Sequence, residues 1–267
     1  MKEHFGHYIP FERKSATQKQ NYNEFSSKFK CLFCQAKDEE RVNETPYLYA
    51  CYTGRDDNGA DLDNVLLYNT GLKTNFFRGI ILERNRESDG SGIDYEYDFQ
   101  TKEEFYSCLN KRIVPDREYL IDTGFLDLKN EPAAEGGKVV HFYNLFRKWL
   151  CDSPTERIKD MGNNLQNKDF EMVIHYNGPS DFSESGFIKR IIDGVVSAME
   201  AFNPKQGHRV IDGIDPIICP EVSVLNSENH YTLNGKGWNP QDHLLRRLVL
   251  IKGNPHDKSV RIMIRPL

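Results

Sequence analysis

The sequence predicts an α+β protein with two sheet-bearing halves, each with strands and a helix, in mixed or antiparallel sheets. Two observations lead to this prediction: short apolar or alternating runs between turn signals, and helix-start signals followed by a period near 3.6 residues. The chain has 267 residues, of which 38% are hydrophobic and 12% are aromatic. A chain of this length buries enough surface for a core without disulfides or metals, and its aromatic content is atypical of disorder.

The first half contains a clear helix start. Thr101-Lys102-Glu103-Glu104 is a capping box, in which the threonine and the glutamate satisfy free amides, and it predicts a helix from Lys102 to Arg112. Turn signals over residues 85–92 predict a hairpin loop. Aromatic and β-branched runs predict strands at 46–52, 79–83 and 95–99. An apolar run with an acidic start predicts a short helix or turn at 65–69.

The second half has a longer amphipathic segment. Apolar residues recur at spacings of three and four between residues 188 and 202, which predicts a helix over 184–202 with one buried face. Ser153-Pro154-Thr155-Glu156 predicts a second capping box, which opens a short helix toward Gly162. Apolar runs also predict strands at 170–176, 244–251 and 259–264.

The chain divides into three parts at composition changes. Residues 1–37 form a basic N-terminal part, and the polar and aromatic residues 1–30 lack periodicity, which predicts an extended arm. The proline- and glycine-containing segment 130–138 predicts a linker between a first half over 38–130 and a second half over 139–267. Both halves share the order of strand, polar acidic loop, helix, strand and strand, which hints at an internal duplication.

Charge, hydropathy and cysteine content restrict the class of protein. The net charge of −5 argues against a general nucleic-acid coat, although basic residues predominate at both ends of the chain around an acidic middle. The mean hydropathy of −0.65 predicts no membrane span. The start shows no apolar signal region, and most of the 6 cysteines are scattered, which together predict a cytoplasmic protein with reduced thiols.

The sharpest acidic pattern is Asp61-Leu62-Asp63-Asn64, at a loop that enters the predicted turn. Mg²⁺ prefers hard oxygen ligands and often takes only one or two carboxylates in addition to water and substrate phosphates, and Mn²⁺ suits the same ligands. Asp61 and Asp63 are therefore candidate ligands for Mg²⁺ or Mn²⁺. The alternative is that one of them caps the helix and the other is a turn residue.

Two further aspartates belong to the second half. Asp193 lies on the predicted amphipathic helix, four residues after Lys189, and this spacing also suits a surface ion pair. Asp242 follows the turn Trp238-Asn239-Pro240-Gln241. Both are candidate catalytic carboxylates together with Asp61 and Asp63.

These residues resemble a known nuclease family. The helix segment around Ile191-Ile192-Asp193-Gly194, the acidic turn at Asp242 and the two strands that follow resemble RusA-type Holliday-junction resolvases over residues 170–267. The resemblance implies a metal-dependent nuclease with carboxylate ligands. The D-x-D-N motif of that family falls on Ser183-Glu184-Ser185-Gly186 here, while the literal D-x-D-N stands at Asp61 to Asn64 in the other half.

A second resemblance spans most of the chain. The sequence is similar to bacterial proteins that carry D-x-D-N-x-x-x-Y-N early and W-N-P-x-D late, which correspond here to 61–69 and 238–242. This resemblance implies a bacterial source and no particular chemistry.

A second metal site is suggested near the start of the chain. His4-x-x-His7 and Cys31-x-x-Cys34 supply two imidazoles and two thiolates, the ligand set of a tetrahedral Zn²⁺ site. The alternative is a mobile arm with an unremarkable thiol pair.

The last strands are basic. In the strand that contains Val260, Arg261 and Arg265 alternate with core-like residues, so both arginines are expected on one open face, where they could contact successive phosphates. Arg246 or Arg247 could extend that face from the neighbouring strand.

Two functions therefore remain open at this stage. The first is a metal-dependent nucleic-acid phosphodiesterase or a degenerate relative of one. The second is a non-catalytic binding or regulatory interaction protein, in which the acidic residues are helix caps and the N-terminal arm contacts a partner. No G-x-S-x-G, Walker or G-x-G-x-x-G motif suggests another chemistry.

Overall fold

The structure of the chain is a computed structural model. The described residues are 2–5, 15–35, 43–44, 46–54, 62–68, 77–86, 93–112, 118–128, 135–178, 187–200, 224–225 and 242–267.

The described strands form one mixed sheet. Its order is β1-β4-β2-β3-β7-β6-β8-β5. The strands are β1 (Lys2–Phe5), β2 (Tyr47–Gly54), β3 (Gly79–Arg86), β4 (Ile93–Gln100), β5 (Ile121–Asp127), β6 (Phe170–Asn177), β7 (Leu245–Lys252) and β8 (Ser259–Pro266).

Five helices accompany the sheet in the described residues. They are α1 (Ala16–Gln35), α2 (Lys102–Arg112), α3 (Glu135–Cys151), α4 (Thr155–Leu165) and α5 (Phe187–Met199). A π-helical turn (Asn64–Tyr68) follows β2, and a 3₁₀ turn (Asp242–Leu244) precedes β7.

The predicted α+β class and the mixed sheet are confirmed, but the two halves do not form separate sheets. β3 of the first half pairs antiparallel with β7 of the second, with Glu83 opposite Arg247. β5, at the end of the first half, pairs with β8 at the far edge. Pairing of β3 with β7 removes two sheet edges that would otherwise expose unpaired backbone groups.

The two halves repeat the same strand arrangement on either side of the β3–β7 junction. β2 runs parallel to β3 and antiparallel to β4, and β6 likewise runs parallel to β7 and antiparallel to β8. The order β4-β2-β3 is therefore followed by its mirror counterpart, β7-β6-β8. This repeat agrees with the duplication that the sequence order suggests.

The predicted hairpin between β3 and β4 is wrong. These strands are not neighbours, because β2 lies between them and pairs with both. Residues 85–86 belong to β3 itself, and the rest of the predicted turn lies outside the described residues.

The prediction of an extended arm over residues 1–30 is also wrong. β1 pairs with β4 at the sheet edge, and α1 occupies much of the remainder. Phe25 of α1 is fully buried, and its ring centre lies 4.9 Å from that of Tyr95 on β4. This aromatic contact fixes the helix against the sheet, although the segment has little apolar periodicity.

Most helices cover one face of the sheet, which we call the helical face. Buried residues of α1, α3, α4, α5 and the π-helical turn pack there against the alternate residues of the central strands. α2 covers part of the opposite face through Phe105 and Leu109, which contact Tyr47, Tyr49 and neighbouring apolar residues. The opposite face therefore carries the polar side chains described below.

The two predicted capping boxes differ in the structure. Thr101 Oγ1 accepts from the Glu104 amide at 3.2 Å, and Glu104 Oε2 accepts from the Thr101 amide at 2.8 Å, which confirms the first box. The second box does not form, because Pro154 stands at the N-cap of α4 without a side-chain cap, but the short helix that it was predicted to open is confirmed. Ser153 Oγ instead donates to the Trp149 carbonyl at the end of α3.

Candidate functional site

Four charged residues of alternating sign form one row across the opposite face of the sheet. In order they are Glu83 on β3, Arg247 on β7, Glu171 on β6 and Arg265 on β8. Their neighbours along each strand alternate to the other face, so the strand register alone brings the four side chains together. We call this row the charge ladder.

The charge ladder is closed by short ion pairs. Arg247 Nη2 lies 2.7 Å from Glu83 Oε1, and Arg247 Nη1 lies 2.7 Å from Glu171 Oε2. Arg265 Nε lies 2.9 Å from Glu171 Oε1. The Glu171 side chain is 0% exposed and the Arg265 side chain is 3% exposed. Removing one partner of such a pair leaves a buried charge without compensation, which is strongly destabilising.

Two tyrosines complete the ladder. Tyr49 donates its hydroxyl hydrogen to Glu83 Oε2 at 3.0 Å, and Tyr119 donates to Glu171 Oε1 at 3.3 Å. Burial and the negative charge of Glu171 raise the pKa of Tyr119 to about 12, so its hydroxyl stays protonated and remains a donor. The Arg265 guanidinium carbon also lies 5.2 Å from the centre of the Tyr119 ring.

Arg261 forms a separate and more exposed pair with Asp122 of β5. Arg261 Nε donates to Asp122 Oδ1 at 2.8 Å, and the two side chains are 36% and 34% exposed. The hydrogen bond from Arg261 is the main cause that lowers the pKa of Asp122. His175 of β6 lies opposite Arg261, and burial together with the Arg261 charge lowers the pKa of His175.

The prediction of an open face with several arginines is confirmed only in part. Arg261 and Arg265 do share one face of β8, as the alternation predicts, and Arg247 belongs to the same face. Arg265, however, is buried and bound to Glu171, because Tyr119 covers it and the ladder fixes it. Arg246 is also buried and pairs with Asp169 at 3.0 Å.

An open cleft adjoins the end of the ladder. It has a volume of about 560 Å³ and lies between residues 118–120, helix α4 and the end of β8. Arg265 and Tyr119 line it from the sheet side, and Arg157 and Asp160 line it from α4. The volume falls in the range of small-molecule sites.

The ladder and the cleft involve residues that sequence reasoning missed. Glu171 stands inside an apolar strand run and Glu83 directly follows one, and a buried acidic side chain at such a position must find a partner. That position was a usable signal for an ionic cluster. The signal did not identify the partners, which lie 76 and 164 positions away along the chain.

The predicted catalytic aspartates are only partly described. Asp63 is 2% exposed and Asp193 is 8% exposed, and both belong to elements that pack on the helical face. Asp193 Oδ1 lies 3.4 Å from Lys189 Nζ, so the predicted pair at that spacing forms. Asp61 and the Asp242 side chain lie outside the described residues.

Most side chains of the predicted metal sites lie outside the described residues. Cys31 and Cys34 belong to α1 and His4 to β1, but their side chains, like the whole of His7, lie outside the described residues. Within the part of the chain that is described, no group of three or more His, Cys, Asp or Glu side chains is placed to hold a metal ion. Among the described helices, none is long and apolar enough to cross a membrane.

Comparisons with protein-family models, curated protein sequences and solved structures find no match for this chain.

Proposed function

We propose that the protein is a non-catalytic binding or regulatory protein whose ligand is not a nucleic acid. One observation supports this proposal: each of the four arginines expected to contact phosphate is paired with a carboxylate of the same chain. The carboxylates are Asp169, Asp122 and the ladder residues Glu83 and Glu171. A phosphate group would have to displace these internal partners, and in the ladder it would leave buried carboxylates uncompensated.

A nucleic-acid titration tests the proposal. The full chain is titrated with labelled single-stranded, duplex and branched DNA and with RNA at low salt, because phosphate contacts are strongest there. We expect no salt-sensitive binding. The Arg261→Ala variant is the control, since Arg261 is the most exposed of the four arginines. Binding that weakens with salt and is reduced in this variant would contradict the proposal.

A metal-dependent phosphodiesterase is the second candidate function, and the sheet topology favours it. The last residue of β2 and the first residue of β7 lie at the same end of the strands, since Gly54 pairs with Arg86 and Glu83 pairs with Arg247. The segment with Asp63 follows β2, and the turn with Asp242 precedes β7. Helix α5, which carries Asp193, packs against that turn.

A cleavage assay separates the two candidates. Labelled nucleic acid is incubated with the full chain in Mg²⁺ or Mn²⁺, the ions that carboxylate sites of this kind would hold. The binding proposal expects intact substrate. Cleavage that is lost in Asp63→Asn and Asp193→Asn, and kept in the exposed control Asp152→Asn, would establish the phosphodiesterase instead.

A further inference from the structure

The cleft beside the charge ladder carries charges of both signs. Arg157 and Asp160 line it from α4, and Glu118 lines it from the segment before β5. Arg157 and Glu118 form no ion pair with another residue in the described part of the chain. Their charges are therefore available to a ligand, although both side chains border the same space.

Neutral groups contact Arg157 and Asp160 directly, and the Asp122 carboxylate interacts with Arg157 electrostatically without a direct ion pair. The Arg157 guanidinium carbon lies 5.4 Å from the centre of the Trp149 ring. Asp160 Oδ1 accepts a hydrogen bond of 2.9 Å from Asn164 Nδ2, and this amide carries no charge. A cation supported by an aromatic ring and a carboxylate supported by an amide remain charged recognition groups.

Arg265 supplies an independent indication of a ligand. It lines the cleft from β8, its side chain is 3% exposed, and its Nε is bound to Glu171. Its Nη1 is buried and has no hydrogen-bond partner among the residues that the structure describes. Buried donors in native proteins are nearly always satisfied, so an acceptor bound in the cleft would satisfy this group.

We propose that the cleft binds a small zwitterion with a carboxylate and an ammonium group, of the class of a free amino acid or a dipeptide. The ligand carboxylate faces Arg157 and Arg265, because guanidinium groups match carboxylate geometry. The ammonium group faces Glu118 and Asp160. This inference rests on the proposed binding function and names the ligand class for it.

The test uses the full chain and calorimetric titration with the twenty free amino acids and their glycyl dipeptides. For the best binder, the carboxamide form removes the ligand's negative charge and the N-acetyl form removes its positive charge. Each change should weaken binding about tenfold or more, since a charge-assisted hydrogen bond is lost. Arg157→Gln should weaken binding to a similar extent.

Lys159→Gln provides the matched control variant. Lys159 lies on the same helix, is exposed and does not line the cleft, so its loss should change the affinity by less than about twofold. Absence of binding by every amino acid and dipeptide at millimolar concentration would overturn the inference. Equal losses in the two variants, or an N-acetyl form that binds as well as the parent, would also overturn it. The nucleic-acid experiments above are independent, so the proposed function can stand when this inference fails.

Discussion

Gly79 of β3 lies directly beneath the ring of Phe105 of α2. A β-carbon on residue 79 would stand 2.7 Å from Phe105 Cζ and equally close to Tyr47 Cδ1. Phe105 and Tyr47 are themselves in contact, with ring centres 4.7 Å apart. Glycine at this position therefore sets how closely α2 approaches the sheet.

Gly79→Ala should destabilise the protein by about 1–3 kcal/mol, because the added methyl group overpacks a filled site. Urea denaturation measures the change. The double variant with Phe105→Leu relieves part of the clash. Its loss of unfolding free energy should therefore be smaller than the sum of the losses in the two single variants, by more than about 0.5 kcal/mol. Strict additivity would mean that Phe105 does not limit the space at residue 79.

Glu171→Gln should lower the free energy of unfolding by about 3 kcal/mol, because Arg247 and Arg265 would lose the carboxylate between them. Denaturation in urea at neutral pH measures this loss. The control is Glu156→Gln on α4, whose side chain is 89% exposed. A loss below about 1 kcal/mol at Glu171 would show that the ladder is stabilised by other contacts.

Arg265→Ala and Arg261→Ala should lower the free energy of unfolding by different amounts, although the two arginines share a strand face. Arg265 is buried against Tyr119 and bound to Glu171, so its removal should cost about 2–4 kcal/mol. The exposed Arg261 pair should contribute about 1 kcal/mol or less. Thermal and urea unfolding of the two variants provide the comparison, and equal costs would contradict the observed burial.

Asp122 should make stability depend on acid pH. Its pKa is lower in the folded chain than the ordinary value of 3.8, mainly through the hydrogen bond from Arg261. The ionised Asp122 carboxylate therefore stabilises the fold fully at a pH above its pKa in the unfolded chain. This stabilisation is lost as the pH falls through the lower pKa of Asp122 in the folded chain. The free-energy difference between wild type and Asp122→Asn should shrink as the pH falls below about 4. Urea titrations at several pH values measure it, and a constant difference would be the contrary result.

The regular elements could be predicted wherever the local pattern was strong. The helix from Lys102 to Arg112 is confirmed because its capping box is a purely local signal. Strand β5 was missed, since Gly124 has a positive φ of 62° and a bulge there breaks the alternation of apolar residues. Helix α3 was also missed, because the glycines at its start were interpreted as a linker.

A usable signal for α3 was present in the sequence. Phe142, Phe146 and Leu150 recur every four residues and are all fully buried. The charge ladder was harder to predict from the sequence, because it depends on which strands are neighbours and in what register they pair. A single-residue shift of β7 would move Arg247 to the helical face, so strand pattern alone does not specify its partners.

The junction of β3 and β7 also has a consequence for synthesis of the chain. Glu83 and Arg247 are separated by 164 positions, so the ribosome must add most of the second half before β3 gains this neighbour. Until then, one edge of β3 exposes an apolar strand that another nascent chain could pair with. Chaperone dependence during translation should therefore be concentrated in this interval, and it should end when β7 leaves the exit tunnel.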